Sequence, residues 1–361
     1  MKEHNLFHEH WNKKLFIDET NASVYDNNGR HISHCYSKPE FFIFDWNGEY
    51  ANETFVKIGD QYFHQHLLHP CSNGKLAISF ILRENIGFFA QLTNCVLISK
   101  ACAEKGIEPY FFLSNCITLQ KGLIKNPLEY YFKPKNIPNR DRNLLYKKCI
   151  NNKAISFFNR AQINFFSRGG VDNEIMNEIT SLEEGKKLFD VNFSFKGYIT
   201  DIVNKFCHSN FGAKTLGVHF RGKDKIGSEA LEIDSAEIFK HISQQINGGY
   251  EKIFIATDDS YFLKKCYEAF GDRIIVFRKD INALYHFQDV EKNFKKNATA
   301  LIDCIILSRC NLLIKTPSAL SAWSLVFNPI QNVICLGKPF KNPWNEVNLE
   351  GFGYWPEKCL H

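Results

Sequence analysis

Short apolar runs alternate with amphipathic segments from residue 216 to residue 336, and this alternation restricts the fold more than any other feature of the sequence. Strands that alternate with helices of about ten to fifteen residues are typical of a parallel, doubly wound sheet. We therefore predict an α/β domain in this part of the chain. The first predicted strand begins at Leu216, and the others cover residues 252–256, 273–277, 312–314 and 333–336. The first predicted helix begins after Asp234, and the others cover residues 260–270, 297–310 and 317–327.

Local capping signals support these helices. Asp234 is followed by Glu237 at the spacing of a capping box, and Gly271 ends the helix at residues 260–270. An earlier strand–helix–strand unit is predicted with strands at residues 76–82 and 109–113, and its helix stops at Gly106.

The remaining segments are less regular. We expect an irregular wrapping segment with short strands over residues 1–70, and mostly helical structure from residue 123 to about residue 190. A chain of 361 residues is long enough for two domains. We place these at residues 1–200 and 201–337, followed by an aromatic tail at residues 338–361 that packs back on the first domain.

Composition excludes several classes of protein. The net charge of +5 is mild, which argues against a nucleic-acid partner. No apolar run is long enough to cross a bilayer, and the first ten residues lack an apolar signal region, so we expect a cytoplasmic protein without a transmembrane segment. The twelve cysteines contain no Cys-x-x-Cys pair and are expected to be buried, reduced thiols. Several of them fall in helical patterns: Cys95, Cys102, Cys266 and Cys304.

Charged residues are concentrated where the strand at Leu216 ends. His219, Arg221, Asp224, Lys225 and Glu229 follow this apolar run within a few positions. Ligands bind in open α/β sheets at the carboxyl ends of the strands, so this stretch is a candidate site. The alternative is a solvated loop of mixed charge, which is what most charged stretches are.

Two further strand ends are expected at the same edge of the sheet. One carries Asp258 and Asp259, and the other carries Lys315, Thr316, Pro317 and Ser318. We predict Thr316 as a helix N-cap and Pro317 as the first helical residue. The N–H groups of Ser318 and Ala319 then suit a phosphate, although ordinary helix capping explains the same residues.

Asp303 and the Asp258–Asp259 pair have alternative explanations. Asp303 lies among apolar residues in the helix predicted at 297–310, so its carboxylate needs a partner, which is either a structural group or a ligand. The Asp258–Asp259 pair raises the possibility of a metal site. Adjacent residues in an extended segment point apart, and no third ligand has suitable spacing, so no metal is predicted. One of the two carboxylates is expected to cap the helix that starts at Ser260.

These motifs together resemble those of a known family. His219-x-Arg221-x-x-Asp224-Lys225-x-Gly227-x-Glu229 is similar to the motif of the core α-1,6-fucosyltransferases and the rhizobial nodulation fucosyltransferases. The resemblance continues through residues 256–259 and 300–318, in the same order. It extends to the superfamily that also contains the α-1,2- and protein O-fucosyltransferases.

The resemblance implies a GT-B fold, in which two Rossmann-like domains face a cleft, with the acceptor side in the first domain and the nucleotide-sugar site in the second. It implies GDP-fucose as the donor, inversion at the sugar, a glycan acceptor, and no cofactor or metal. By position, His219 and Asp303 are expected to hold guanine, and Asp258 and Asp259 to lie in the donor site.

The remaining roles follow in the same way. Arg221 and the segment Thr316, Ser318 and Ala319 are expected to hold the diphosphate, with Asp224 and Lys225 shaping the loop and Glu229 as general base. Core fucosyltransferases have a second Arg where this chain has Gly222, and Lys223 or Lys225 is the expected substitute. The alternatives are a different nucleotide-sugar donor, a protein acceptor, or a nucleotide-binding module without catalysis.

Overall fold

The computed structural model of the chain describes residues 2–7, 12–18, 23–25, 31–38, 41–45, 54–58, 61–64, 68–71, 75–82, 88–104, 106–113, 118–120, 123–126, 128–135, 138, 181–221, 234–277, 290–316 and 318–336. The strands are β1 (Lys2–Phe7), β2 (Asn12–Asp18), β3 (Ser23–Tyr25), β4 (His31–Lys38), β5 (Phe41–Asp45), β6 (Thr54–Ile58), β7 (Gln61–His64), β8 (Leu68–Pro70), β9 (Leu76–Leu82), β10 (Glu108–Leu113), β11 (Thr118–Gln120), β12 (Leu123–Lys125), β13 (Phe132–Pro134), β14 (Phe193–Phe195), β15 (Thr215–Phe220), β16 (Lys252–Thr257), β17 (Ile274–Ile275), β18 (Leu312–Lys315) and β19 (Asn332–Cys335). The helices are α1 (Phe88–Glu104), α2 (Leu128–Tyr131), α3 (Leu182–Asn192), α4 (Gly197–Asn210), α5 (Ser235–Asn247), α6 (Ser260–Phe270), α7 (Val290–Leu307) and α8 (Ala319–Phe327).

The first seven strands form a closed barrel. Strands that are consecutive in sequence pair antiparallel, and β1 closes the barrel by pairing parallel with β7, where Leu6 is opposite Tyr62. The expected short strands are therefore present, but the expectation of an irregular wrapping segment is wrong. Closure of the barrel depends on pairing between its first and last strands, which a local sequence pattern does not reveal.

The predicted strand–helix–strand unit of the N-terminal half is confirmed. Strands β9 and β10 pair parallel in register, from Ala77 opposite Glu108 to Leu82 opposite Leu113, and α1 connects them. Gly106 follows α1 with a φ of 68°, a left-handed conformation that glycine adopts without strain. Within the described part of the segment expected to be mostly helical from residue 123, Leu123–Lys125 and Phe132–Pro134 are strands instead.

The C-terminal half contains the predicted doubly wound sheet, and the α/β class is confirmed. Its five strands are all parallel and lie in the order β17-β16-β15-β18-β19. The bounds of α6 agree with the prediction at both ends, because Asp259 caps its start and Gly271, with a φ of 52°, ends it. The tail at residues 338–361 lies outside the described residues.

Each face of this sheet is covered by apolar side chains. One face packs against α5 and α6, and its buried core contains Leu216, Val218, Ile238, Ile242, Ile253, Ile255, Phe262 and Ile314. On the other face, a Cβ at Gly217 would lie 3.1 Å from both Cβ and Sγ of Cys310, so a glycine is needed for α7 and the turn after it to approach the strand. Where the structure describes the side chain, the cysteines are free thiols, but the expectation that they are buried holds only in part: Cys207 and Cys335 are partly exposed, whereas Cys71, Cys95, Cys102, Cys266, Cys304 and Cys310 are buried.

The chain divides into two compact units that are discontinuous in sequence. One comprises Met1–Asn85, Asn94–Glu129 and Pro134–Arg168, and the other Ile86–Thr93, Tyr130–Lys133 and Gly169–His361. The predicted boundary between residues 200 and 201 stays a prediction. In the described residues of the second unit, aromatic side chains from four segments form one cluster. Its members include Phe88, Tyr131, Phe132, Phe189, Phe193, Phe195, Trp323 and Phe327.

Candidate functional site

The order of the parallel strands places the candidate site at the middle of the sheet. Strand β15 lies between β16 and β18, and the connections run outward from β15 in opposite directions. The crevice at the carboxyl ends of the two strands where the direction changes is the usual ligand site of a doubly wound sheet. In this protein those strands are β15 and β18, which end at Phe220 and Lys315.

The backbone at the end of β15 is fixed by Thr316. The Thr316 N–H donates to the carbonyl of His219 at 3.1 Å, and the Arg221 N–H donates to Thr316 Oγ1 at 3.0 Å. The side chain of Thr316 thus continues the pairing of the two strands beyond their last ladder bond. Residues that are 95 positions apart in sequence are held side by side at the edge of the sheet.

The guanidinium of Arg221 forms an ion pair with the end of the neighbouring strand. Its Nη1 lies 2.6 Å from Oδ2 of Asp258, and the two side chains are 29% and 20% exposed. The register explains this contact, because Phe220 is opposite Thr257 and the next residue of each strand is Arg221 or Asp258. Both residues were predicted at the site, but their ion pair was not, because it depends on the register between two strands that are distant in sequence.

His219 is buried one position before the strand ends, and it is kept neutral. The residue is 4% exposed, and its Nδ1 has no hydrogen-bond partner within the described part of the chain. Burial, together with the positive charges of Arg221 and Lys315, lowers the pKa of His219 to about 3. A neutral imidazole presents one ring nitrogen as donor and the other as acceptor, which suits recognition of an uncharged heterocycle.

Lys315 also lies at this edge, where no role was predicted for it. It is fully buried and lies directly opposite His219 in the register of β15 and β18. Its side chain has an interaction partner in the structure. A buried ammonium is costly unless it is paired. A lysine at the end of an otherwise apolar strand was therefore the sequence signal that Lys315 has a specific role at this edge.

Helix α8 begins two residues later than predicted. Its N-cap is Ser318 and its first residue is Ala319, whereas Thr316 was predicted as the cap. The difference has a physical cause, since the hydroxyl of Thr316 accepts the Arg221 N–H and not an N–H of its own helix. The side chain of Ser318 makes no capping hydrogen bond. The first N–H groups of α8 are therefore not capped by this side chain, and such groups attract anions.

Asp259 has a structural role. Its Oδ1 accepts the N–H groups of Tyr261 and Phe262 at 2.9 and 3.0 Å, which caps α6. The expectation that one carboxylate of the Asp258–Asp259 pair caps this helix is confirmed. The other carboxylate, Asp258, remains at the sheet edge with Arg221.

Asp303 lies inside α7, near the start of α8. Its side chain is 3% exposed, and it has an interaction partner, as a buried carboxylate requires. The thiol of the adjacent Cys304 donates to the carbonyl of Leu320, in the first turn of α8, at 3.2 Å. Helix α7 therefore packs against the beginning of α8, and Asp303 lies next to this contact.

Several predicted site residues lie outside the described part of the chain. These are Gly222, Lys223, Asp224, Lys225, Glu229 and Pro317. The structure brings together His219, Arg221, Asp258, Lys315 and Thr316 at the edge formed by β15, β16 and β18. The roles of the predicted site residues in donor binding and catalysis stay predictions.

The described residues contain no group of three or more His, Cys, Asp or Glu side chains that is suited to a metal ion. No helix among them combines the length and the apolar character needed to span a membrane.

Comparison with known proteins gives similarity to solved structures. No protein-family model matches the chain, and no curated protein matches it. A structure of the α-1,6-fucosyltransferase NodZ soaked with GDP-fucose is similar at 18% identity over 69% of this chain and 91% of that one, with a TM-score of 0.48. Fucosyltransferase NodZ from Bradyrhizobium is similar at 19% identity over 68% of this chain and 91% of that one, with a TM-score of 0.45.

A third structure is of POFUT1 in complex with GDP. It is similar at 12% identity over 72% of this chain and 98% of that one, with a TM-score of 0.42. The chain is thus similar to fucosyltransferase structures. Since all three TM-scores are below 0.5, we draw from them neither an activity nor a substrate for this chain.

Proposed function

We propose that this protein is an inverting glycosyltransferase that transfers L-fucose from GDP-fucose to a hydroxyl group of a glycan. The observation that carries the proposal is the set of polar groups at the switch point of the sheet. There the guanidinium of Arg221, the neutral ring of His219 and the start of α8 lie at or just beyond the ends of two adjacent strands.

These groups match the parts of a nucleoside diphosphate sugar. A diphosphate is favoured by a guanidinium and by the N–H groups of a helix N-terminus. A nucleobase has hydrogen-bond donors and acceptors at fixed positions, which a neutral imidazole and a buried carboxylate can bind. His219 and Asp303 supply these two groups. The motif resemblance adds the choice of guanine and fucose to this more general match.

The proposed reaction is a direct displacement at the anomeric carbon. An acceptor oxygen forms a bond to C1 of fucose while the bond from C1 to the diphosphate oxygen breaks, which inverts the configuration. Glu229 takes the proton of the acceptor hydroxyl, a contribution that is typically worth about 10²–10⁴-fold in rate. The electron pair of the broken bond leaves with GDP, whose increasing negative charge is stabilised by Arg221 and by the start of α8.

The proposal is tested by measuring hydrolysis of the donor and binding of GDP. Purified protein is incubated with GDP-fucose, GDP-mannose and UDP-sugars, and release of the nucleotide is followed. We expect turnover of GDP-fucose above that of the other donors, and loss of turnover with retained GDP affinity in the Glu229→Gln variant.

Each alternative has its own outcome in this experiment. Preference for GDP-mannose or a UDP-sugar would contradict GDP-fucose as the donor, but the protein would still be a nucleotide-sugar-dependent glycosyltransferase. Binding of GDP without turnover of any donor, with and without glycan and peptide acceptors, would indicate a module without catalysis. Absence of nucleotide binding would overturn the proposal.

A further inference from the structure

The contact between Arg221 and Asp258 deepens the proposed function, on which this inference rests. Both residues were predicted to contact the donor. However, a carboxylate oxygen at 2.6 Å from the guanidinium is engaged with a cation, and its negative charge repels a diphosphate. Asp258 is therefore poorly suited to bind the phosphates itself.

Arg221 is restrained at both ends. Its backbone N–H is held by Thr316 Oγ1 at 3.0 Å, and its Nη1 is held by Asp258 at 2.6 Å. A guanidinium is a rigid plane with five N–H donors, so a carboxylate on one edge sets the direction of the whole plane. The side chain is only 29% exposed, which further limits its alternatives.

The departure at Gly222 makes this restraint important. Where the resembling family has a second Arg, this chain offers no side chain at all. A single flexible arginine loses rotamer entropy when it is fixed on a ligand. An arginine that is already oriented by the protein has lost part of this entropy before the ligand binds.

We propose that Asp258 is a positioning residue, which acts on the nucleotide diphosphate only through Arg221 by fixing the plane of the guanidinium at the carboxyl edge of the sheet. Thr316 has the companion role for the backbone of Arg221. Of Arg221, Asp258 and Thr316, only Arg221 then touches the phosphates, and the other two hold it in place.

A double-mutant cycle tests this proposal. GDP affinity is measured by calorimetry for the wild type, Arg221→Ala, Asp258→Ala and the double variant. We expect Asp258→Ala to weaken GDP binding about tenfold and Arg221→Ala to weaken it about 100-fold, since misplaced positioning groups have effects of this order. In the Arg221→Ala background, the second substitution is expected to have no further effect.

Two variants control for loss of folding and for loss of charge. Asp258→Asn keeps the volume and an acceptor oxygen, so it is used for the same cycle if Asp258→Ala does not fold, and we expect a weaker form of the same effect. Glu268→Ala removes the carboxylate of an exposed ion pair with Lys264 on α6, and GDP affinity should stay at the wild-type value.

The outcomes separate this inference from the proposed function. If the wild type binds GDP and the losses from Arg221→Ala and Asp258→Ala add, Asp258 contacts the ligand directly and the inference is overturned while the proposed function stands. If Asp258→Ala and Asp258→Asn both bind GDP like the wild type, Asp258 positions nothing and the inference is also overturned. A wild type that binds no nucleotide overturns both.

Discussion

His219 is buried and neutral, and two positively charged side chains act on its ring. Its side chain is 4% exposed, and the positive charges of Arg221 and Lys315 add to the effect of burial. The folded protein therefore binds a proton at His219 only near pH 3, whereas the unfolded chain binds it near the ordinary pKa of about 6.5. Between these two values the unfolded state carries more protons than the folded state.

The sign of the pH dependence follows from linkage. The stability that His219 confers is fully present above about pH 6.5 and is lost as the pH falls toward 3, with a slope of at most about 1.4 kcal/mol per pH unit. Between pH 6 and pH 5 the unfolding free energy of the wild type should therefore fall by about 1 kcal/mol more than that of the His219→Leu variant. Urea unfolding at several pH values measures this difference.

A matched substitution controls for the change of residue type. His208 is an exposed histidine in the last turn of α4, and unfolding of His208→Leu at the same pH values serves as the control. Equal slopes for the wild type and His219→Leu would mean that His219 is not held neutral by the fold.

The strand-end residues show what could be predicted from single positions. Polar residues directly after apolar runs correctly indicated His219, Arg221, Asp258 and Thr316 as neighbours at one edge of the sheet. The sequence did not predict which of these side chains contact each other, because such contacts depend on register between strands that are far apart in sequence.

Helix ends were predicted well where the capping groups are local. Both bounds of α6 were predicted correctly, because Asp259 and Gly271 act on their own helix. The start of α8 was wrong by two residues, because Thr316 bonds to Arg221 on another strand. The barrel of β1–β7 was missed for the same reason, since its closure joins β1 to β7.

Helices α3 and α8 form a natural comparison for the anion site. Both have a serine N-cap in extended conformation, with φ of −153° at Ser181 and −169° at Ser318. The hydroxyl of Ser181 accepts the Glu184 N–H at 3.1 Å, whereas Ser318 makes no such bond. The start of α8 is therefore open to a carboxylate cap, and the start of α3 is already capped.

We predict opposite effects of Ser318→Asp on stability and on binding. The new carboxylate caps α8 and interacts with its dipole, so the unfolding free energy should rise by about 0.5–1 kcal/mol. The same carboxylate repels a diphosphate at this helix end, so GDP affinity should fall at least about tenfold. Chemical denaturation and calorimetry measure the two quantities.

Ser181→Asp is the control for this prediction. It exchanges one good capping residue for another on α3, so both stability and GDP affinity should stay close to wild type. If Ser318→Asp bound GDP as tightly as the wild type does, the phosphates would not lie at the start of α8.

The compact unit that holds the parallel sheet includes short segments from much earlier in the chain. Ile86–Thr93 and Tyr130–Lys133 belong to it, and Trp323 Nε1 donates to Thr93 Oγ1 at 3.0 Å across 230 positions. The alternation of strands and helices predicted the sheet itself. It did not predict this contribution, because an aromatic residue in a short segment has no periodic pattern that indicates its partners.

Phe132 is central to the aromatic cluster that joins these segments. It is fully buried, and its ring centroid lies 5.4, 5.5 and 5.7 Å from those of Phe189, Phe193 and Phe195. It also stacks on Phe88 at 6.4 Å. Removal of this ring leaves a cavity between these segments.

We predict that Phe132→Ala lowers the unfolding free energy by about 3–5 kcal/mol, the usual cost of removing a buried phenylalanine ring. Hydrogen exchange should become faster in α3 and α8, because Phe189 and Trp323 of these helices belong to the cluster. Tyr267→Ala, which removes a 45% exposed ring from α6, is the control and should change stability by less than about 0.5 kcal/mol. If Phe132→Ala unfolded at the same urea concentration as this control, with unchanged exchange in α3 and α8, the early segments would not contribute to the stability of the unit that carries the candidate site.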